Sequence, residues 1–134
     1  MADKKLMIDT SILIDYFRKT DKTKSRLVSH FREYDKIFIS TITEFEIFNG
    51  AHEAHKQFWE TMLTNLIVLD FNRAAARQSA RTVVQLKSKR KSIDKPDLFI
   101  AATAIVYGLT LDTLNSKHFI DIENLNLLTN LTNN

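Results

Sequence analysis

The sequence predicts an α/β fold in which a parallel sheet is covered by helices on both faces. Short apolar runs of three or four residues alternate with longer segments whose apolar residues recur at helical spacing, and this strand-then-helix order repeats about four times. The size agrees, since 134 residues of which 44% are hydrophobic suffice for one compact domain with a proper core. Residues 1–134 are therefore read as a single domain, with the Asn/Thr-rich tail at 129–134 expected to fray.

Leu6 to Ile8 form the first short buried strand. Ser11 to Arg18 follow with Ile12, Leu13, Tyr16 and Phe17 on one helical face, Thr10 or Ser11 as N-cap, and the helix is expected to continue through Phe31. Ile37 to Ile39 are the second strand, and a helix over Glu44 to Asn49 is expected to end at Gly50 as its C-cap. His52 to Leu63 should be helical, Leu66 to Leu69 a third buried strand, and Asn72 to about Lys91 a long helix with an Ala-rich start. Pro96 suits the first turn of a helix that runs to Tyr107 and stops at Gly108. Leu109 to Leu111 and Leu125 to Leu128 complete the strand candidates.

Composition excludes several chemistries. Without cysteine there is no disulfide framework, zinc ribbon or thiol nucleophile, so any metal must be held by oxygen or imidazole. Asp9 and Asp15 interrupt the N-terminal apolar run, which is wrong for a secretory signal, and no segment approaches the roughly 20 apolar residues of a membrane span. The chain is read as soluble and cytoplasmic. A net charge of +3 only hints at an anionic partner, but the local clusters at Arg18 to Arg32 and Lys87 to Lys95 are strongly basic.

Three acids, Asp9, Glu46 and Asp97, stand at junctions between elements. In an open α/β sheet, junctions at the carboxyl ends of the strands converge on one crevice, so acids distant in sequence can meet there, and acids gathered in this way need a cation. Each also has a plain structural reading. Asp9 can cap the helix after it, Glu46 can complete a capping box with Thr43, and Asp97 beside Pro96 is favoured by the helix dipole.

The ordered segments IDTSILIDYF, ISTITEFEIFNG and PDLFIAATAIVYGLTL, followed by Thr113-Leu114-Asn115-Ser116-Lys117-His118-Phe119, resemble the PIN-domain nucleases, in particular the VapC-type toxins of bacterial toxin–antitoxin pairs. The resemblance spans nearly the whole chain. It implies a three-layer sandwich around a parallel sheet of about five strands and a divalent-metal-dependent endoribonuclease. Asp9, Glu46 and Asp97 fall at the metal-binding positions and Asn115 at the fourth catalytic position, where many members carry Asp. With an amide there, one tightly held Mg²⁺ (or Mn²⁺) is expected, a second ion arriving only with the substrate phosphate. Water attack at phosphorus would leave a 5′-phosphate and a 3′-hydroxyl.

Thr10 and Thr113 are candidates to orient these carboxylates, and Asp112, at a strand end where similar sequences are usually apolar, either supplies the missing charge or begins the loop. Lys87, Lys89, Arg90, Lys91 and Lys95 are candidate RNA contacts on the rim, with a solvated helix end as the plain reading. His118 is read mainly as part of a structural turn with Phe119 buried, and Trp59 and Phe58 as core or dimer contacts. The resemblance also implies a homodimer and a cognate antitoxin whose basic side chain enters the acidic groove, with apolar grooves near Tyr16 and Phe48 to receive it. The alternatives are a PIN-like module disabled at Asn115 that only binds RNA or a partner, and a structure-specific DNA nuclease.

Overall fold

The computed structural model describes residues 3–129 and has a four-stranded, all-parallel sheet in the order β3-β2-β1-β4. β1 (Lys5–Ile8) leads to α1 (Thr10–Arg18) and α2 (Arg26–Glu33), then to β2 (Lys36–Ser40), α3 (Thr41–Gly50), α4 (Lys56–Leu63) and β3 (Ile67–Leu69). α5 (Arg73–Ser88) and α6 (Lys95–Tyr107) follow, and the chain returns to the other side of β1 as β4 (Leu111–Asp112). Strand order thus reverses beside β1, and the crevice beyond the ends of β1 and β4 is the place where such sheets bind ligands.

Side-chain alternation along β1 divides the interior in two. Leu6 and Ile8 pack with Ile12, Leu13, Leu27, Ile47 and Trp59, whereas Met7 packs with Leu86, Ile100, Ala101, Ala104 and Leu111. β1 is buried on both sides, as a central parallel strand must be. Trp59 is a core residue, 2% exposed, with its ring 5.3 Å from that of Phe17 and 5.1 Å from that of Phe58.

Several boundaries differ from the sequence-based expectation. The helix expected to run from Ser11 through Phe31 stops at Arg18, because Asp21 caps a short 3₁₀ turn at Lys22–Lys24 and Ser25 caps a new helix. Ser40, rather than a residue nearer Glu44, caps α3, so Glu46 lies within the helix and no capping box with Thr43 forms. Gly50 is the last helical residue and Ala51 follows as the C-cap. The segment from His52 opens as a 3₁₀ turn at Glu53–His55 before α4. β3 is an edge strand with Ile67 exposed, not a buried one. The last expected strand is reduced to one parallel bridge, Leu111 with Leu127, so the sheet has four strands rather than five. Asn124, at φ 68°, turns the backbone just before that segment, leaving little length to pair. Gly108, by contrast, closes α6 as expected, in the left-handed conformation at φ 67° that glycine adopts without a Cβ penalty. Beyond Thr129, the tail expected to fray lies outside the described residues.

Lys22 secures the break after α1. Its amine donates to the carbonyls of Tyr16 and Phe17 at 2.9 and 3.0 Å and lies over the Tyr16 and Phe58 rings, 4.9 and 5.7 Å from their centroids. A charged donor therefore caps the helix end and meets a π-face in one place. Lys22→Met, which keeps the stem, should cost about 2 kcal/mol in urea unfolding, the sum expected of charge-assisted bonds and a partly exposed cation–π contact. A loss below about 0.5 kcal/mol would show that water replaces both.

Candidate active site

Asp9 immediately follows β1 and is the N-cap of α1, where its Oδ1 accepts the Ser11 backbone N–H at 3.1 Å and the Ser11 hydroxyl. Its other oxygen, Oδ2, accepts the Thr113 hydroxyl at 2.6 Å. Thr113 comes from the end of β4, and its Oγ1 accepts the Asn115 N–H at 2.9 Å, while the Ser11 Oγ accepts the Leu114 N–H at 3.0 Å. Strand ends from two parts of the chain are thus locked around one carboxylate. The capping role and the site role of Asp9 coincide, because the cap geometry fixes its rotamer at the mouth of the crevice.

Glu46, from the middle of α3, is turned toward Asp9's neighbour: the Thr10 hydroxyl donates to Glu46 Oε1 at 2.6 Å, with Thr43 Oγ1 3.1 Å from Thr10 Oγ1. Asp97 lies in the first turn of α6, with Oδ2 3.4 Å from His118 Nδ1. Asp9, Glu46, Asp97 and Asn115 line one cleft of about 470 Å³, together with Thr10, Ser11, Ile14, Asp15, Arg18 and Leu114.

Burial raises the pKa of Asp9, and the charge of Asp97 raises it further against the lowering from Ser11 and Thr113. Burial also raises Asp97, with Asp94 adding to it and His118 opposing. A buried carboxylate whose ionisation is opposed further by the charge of a second acid makes a place that favours a cation.

The donor set fits a hard divalent ion. Asp9, Glu46, Asp97, Asn115, Thr10 and Ser11 bring carboxylate, amide and hydroxyl oxygens to the cleft, the ligands Mg²⁺ prefers, and among the described residues Arg18 is the one cation on its wall. Among the described residues, no three His, Asp or Glu side chains close into a cage for an ion.

The expectation that Asp112 supports this cleft is not met. Its side chain turns to the opposite side of the sheet, where Oδ2 lies 3.0 Å from Arg26 Nε and accepts from His30 Nε2. Alternation along β4 explains this: Thr113 reaches Asp9, so its neighbour Asp112 must face α2. Of the five basic candidates, Lys91 lines a cavity beside Asp97, whereas Lys87, Lys89, Arg90 and Lys95 are exposed and line neither it nor the acidic cleft. Ser11 and His118 make contacts that sequence reasoning underrates. The spacing of Ser11, two residues after an acid at a helix start, is the available signal for the first. For His118, nothing local indicates Asp97.

A family model described as PIN domain matches residues 6–125. The chain belongs to the PIN-domain family. This PIN domain is 33% identical over 132 residues to a Rickettsia felis protein named Ribonuclease VapC1, covering 92% of this chain and 95% of that one. Its backbone is similar to that of a chain in VapBC2 from Rickettsia felis bound to a DNA fragment from its promoter, with 27% identity, a TM-score of 0.81 and coverage of 92% and 97%. It is also similar to a chain of a toxin–antitoxin complex from Klebsiella pneumoniae, with 28% identity, a TM-score of 0.74 and coverage of 92% and 96%.

Proposed function

We propose that this PIN domain is a divalent-metal-dependent endoribonuclease and the toxin of a toxin–antitoxin pair. The observation that carries the reading is the convergence of Asp9, Glu46, Asp97 and Asn115 on one cleft at the strand-order switch point, in a chain similar to a named VapC ribonuclease. Asp9 and Asp97 would hold the ion directly, with Glu46 directly or through water. When bound, Mg²⁺, or Mn²⁺ in its place, supplies charge neutralisation at the phosphate and an acidified water for in-line attack.

The protein's own part is orientation. Ser11 and Thr113 each commit a proton to one Asp9 oxygen, so that carboxylate cannot rotate, and Thr10 does the same for Glu46. His118 limits the rotation of Asp97 from the far side. Asn115 offers an amide donor and acceptor that can align water or a phosphate oxygen, without the charge that a second ion would want.

The similarity to chains from VapBC and toxin–antitoxin complexes supports a cognate antitoxin as partner. An apolar groove of about 300 Å³ beside the cleft, lined by Ile14, Phe17, Ile47 and Trp59 among others, could receive it, with a basic side chain of the partner reaching Glu46. Homodimer formation and a cytoplasmic location belong to the same reading. Among the described residues, no helix is long and apolar enough to cross a membrane.

Incubation of the purified, antitoxin-free protein with total RNA in Mg²⁺ or Mn²⁺ tests the activity. Discrete fragments bearing 5′-phosphates are expected, and chelation should stop their appearance. Folded protein that binds RNA but leaves it intact would favour the second reading, a binding module disabled at Asn115.

A further inference from the structure

Asp97 is shared by two cavities. On one side is the acidic cleft; on the other is a larger space of about 520 Å³, whose walls include Leu86, Lys91, Ile93, Lys117 and His118. Nothing in the proposed chemistry uses this second space. Resting on the ribonuclease reading, we infer that it is a nucleotide subsite, which holds the RNA residue next to the scissile bond and grips its phosphate with Lys117 and Lys91.

The two lysines differ in what they already hold. Lys117 sits in the 3₁₀ turn Ser116–His118, one residue from the histidine that touches Asp97, and no acid pairs with it among the described residues. Lys91 faces Asp121 at 3.9 Å with both side chains well exposed, a contact loose enough for a phosphate to displace. Leu86, 3% exposed, and the half-buried Ile93 give the cavity an apolar floor on which a base can rest. Asp94 and Asp121 line the same cavity, and because Asp121 stands beside Lys91 a phosphate has to take its place there, which leaves Lys117 as the unpaired contact among the described residues.

The volume lies within the range of sites that enclose small molecules of nucleotide size. Lys87, Lys89 and Arg90, just before Lys91 in the chain, are exposed, and Arg90 at φ 58° turns the loop that leads to it. A strand laid over Asp97 would therefore meet the acidic cleft on one side and, on the other, a cavity whose cations are Lys91 and Lys117. This arrangement accounts for a cavity of that size opening beside the reaction centre.

The test is binding without turnover. Fluorescence anisotropy of a labelled oligouridylate in EDTA is measured over a salt series for wild type, Lys91→Gln, Lys117→Gln and Lys36→Gln. Lys36 begins β2 at the opposite end of the sheet, so Lys36→Gln makes the same charge change far from the cavity. Each cavity substitution should flatten the slope of log Kd against log salt by about 0.7, the value for one phosphate contact on a single strand, and Lys36→Gln should leave it unchanged. Wild type that binds and cleaves RNA while both cavity variants match Lys36→Gln would overturn the subsite and leave the ribonuclease standing. Wild type that neither binds nor cleaves would remove both.

Discussion

Asp97→Asn should reduce kcat/KM for RNA cleavage by about three orders of magnitude, because losing a charged ligand forfeits several kcal/mol of transition-state stabilisation and each 1.4 kcal/mol is tenfold. The folded protein should survive the change. Asp97 is half-buried and its pKa is raised by burial and by Asp94, so in the absence of metal its charge opposes folding. For an acid shifted in this direction, the favourable contribution is complete below the ordinary carboxylate range and is lost as pH rises through the raised value. Metal-free Asp97→Asn should therefore match wild type in acid and exceed it in Tm at neutral pH. Adding Mg²⁺ should reverse the order, since a ligand at 100 times its Kd stabilises by about 2.7 kcal/mol and the variant has lost the site. Cleavage within tenfold of wild type, or an equal Mg²⁺ shift in both proteins, would remove Asp97 from the metal site.

The acids of the cleft differ in how plainly the sequence marks them. Asp9 is legible because an apolar run followed by Asp-Thr-Ser states a strand end and a helix start at once, and both features are present in β1 and α1. Glu46 falls at the expected position for a different reason: the helix begins at Thr41, so its placement owes nothing to a capping box and depends on Thr10 across the cleft. Asp112 cannot be oriented from its neighbours. β4 is two residues long, too short for an alternation pattern to show which of Asp112 and Thr113 faces Asp9. The break after Arg18 is hidden by apolar residues that keep helical spacing on both sides of it, and it is set by the caps Asp21 and Ser25 together with Lys22 folding back onto α1. His118 is a tertiary contact over a sequence separation that no local signal spans. Strand and helix order is written in short-range patterns, whereas the direction of a side chain at a junction is set by the neighbouring element.

Arg26→Met should lower stability by about 3 kcal/mol and Tm by roughly 10 °C, although it lies outside the cleft. The Asp112 side chain is fully buried, and its compensation comes from Arg26, 21% exposed, and His30, 8% exposed, on α2. Its Oδ1 and the Arg26 Nε both lack a hydrogen-bond partner within the described residues, so the ion contact with Arg26 and the bond to His30 carry what offsets the cost of burying the charge. Methionine preserves the packing of the arginine stem but leaves the carboxylate with His30 alone, which places the expected loss at the lower end of the range for a broken buried pair. Replacing the whole cluster, as Arg26→Met with His30→Leu and Asp112→Leu, should return stability to within about 1 kcal/mol of wild type, because no charge is then stranded. This triple variant also separates structure from function. The Asp112 carbonyl that accepts the Asp9 N–H at 3.2 Å belongs to the main chain and remains, as does the Thr113 hydroxyl on Asp9. Cleavage should accordingly stay within tenfold of wild type. A larger fall at normal stability would mean that the ion cluster sets the position of Thr113, and an Arg26→Met protein within about 0.5 kcal/mol of wild type would mean that water reaches Asp112 after all.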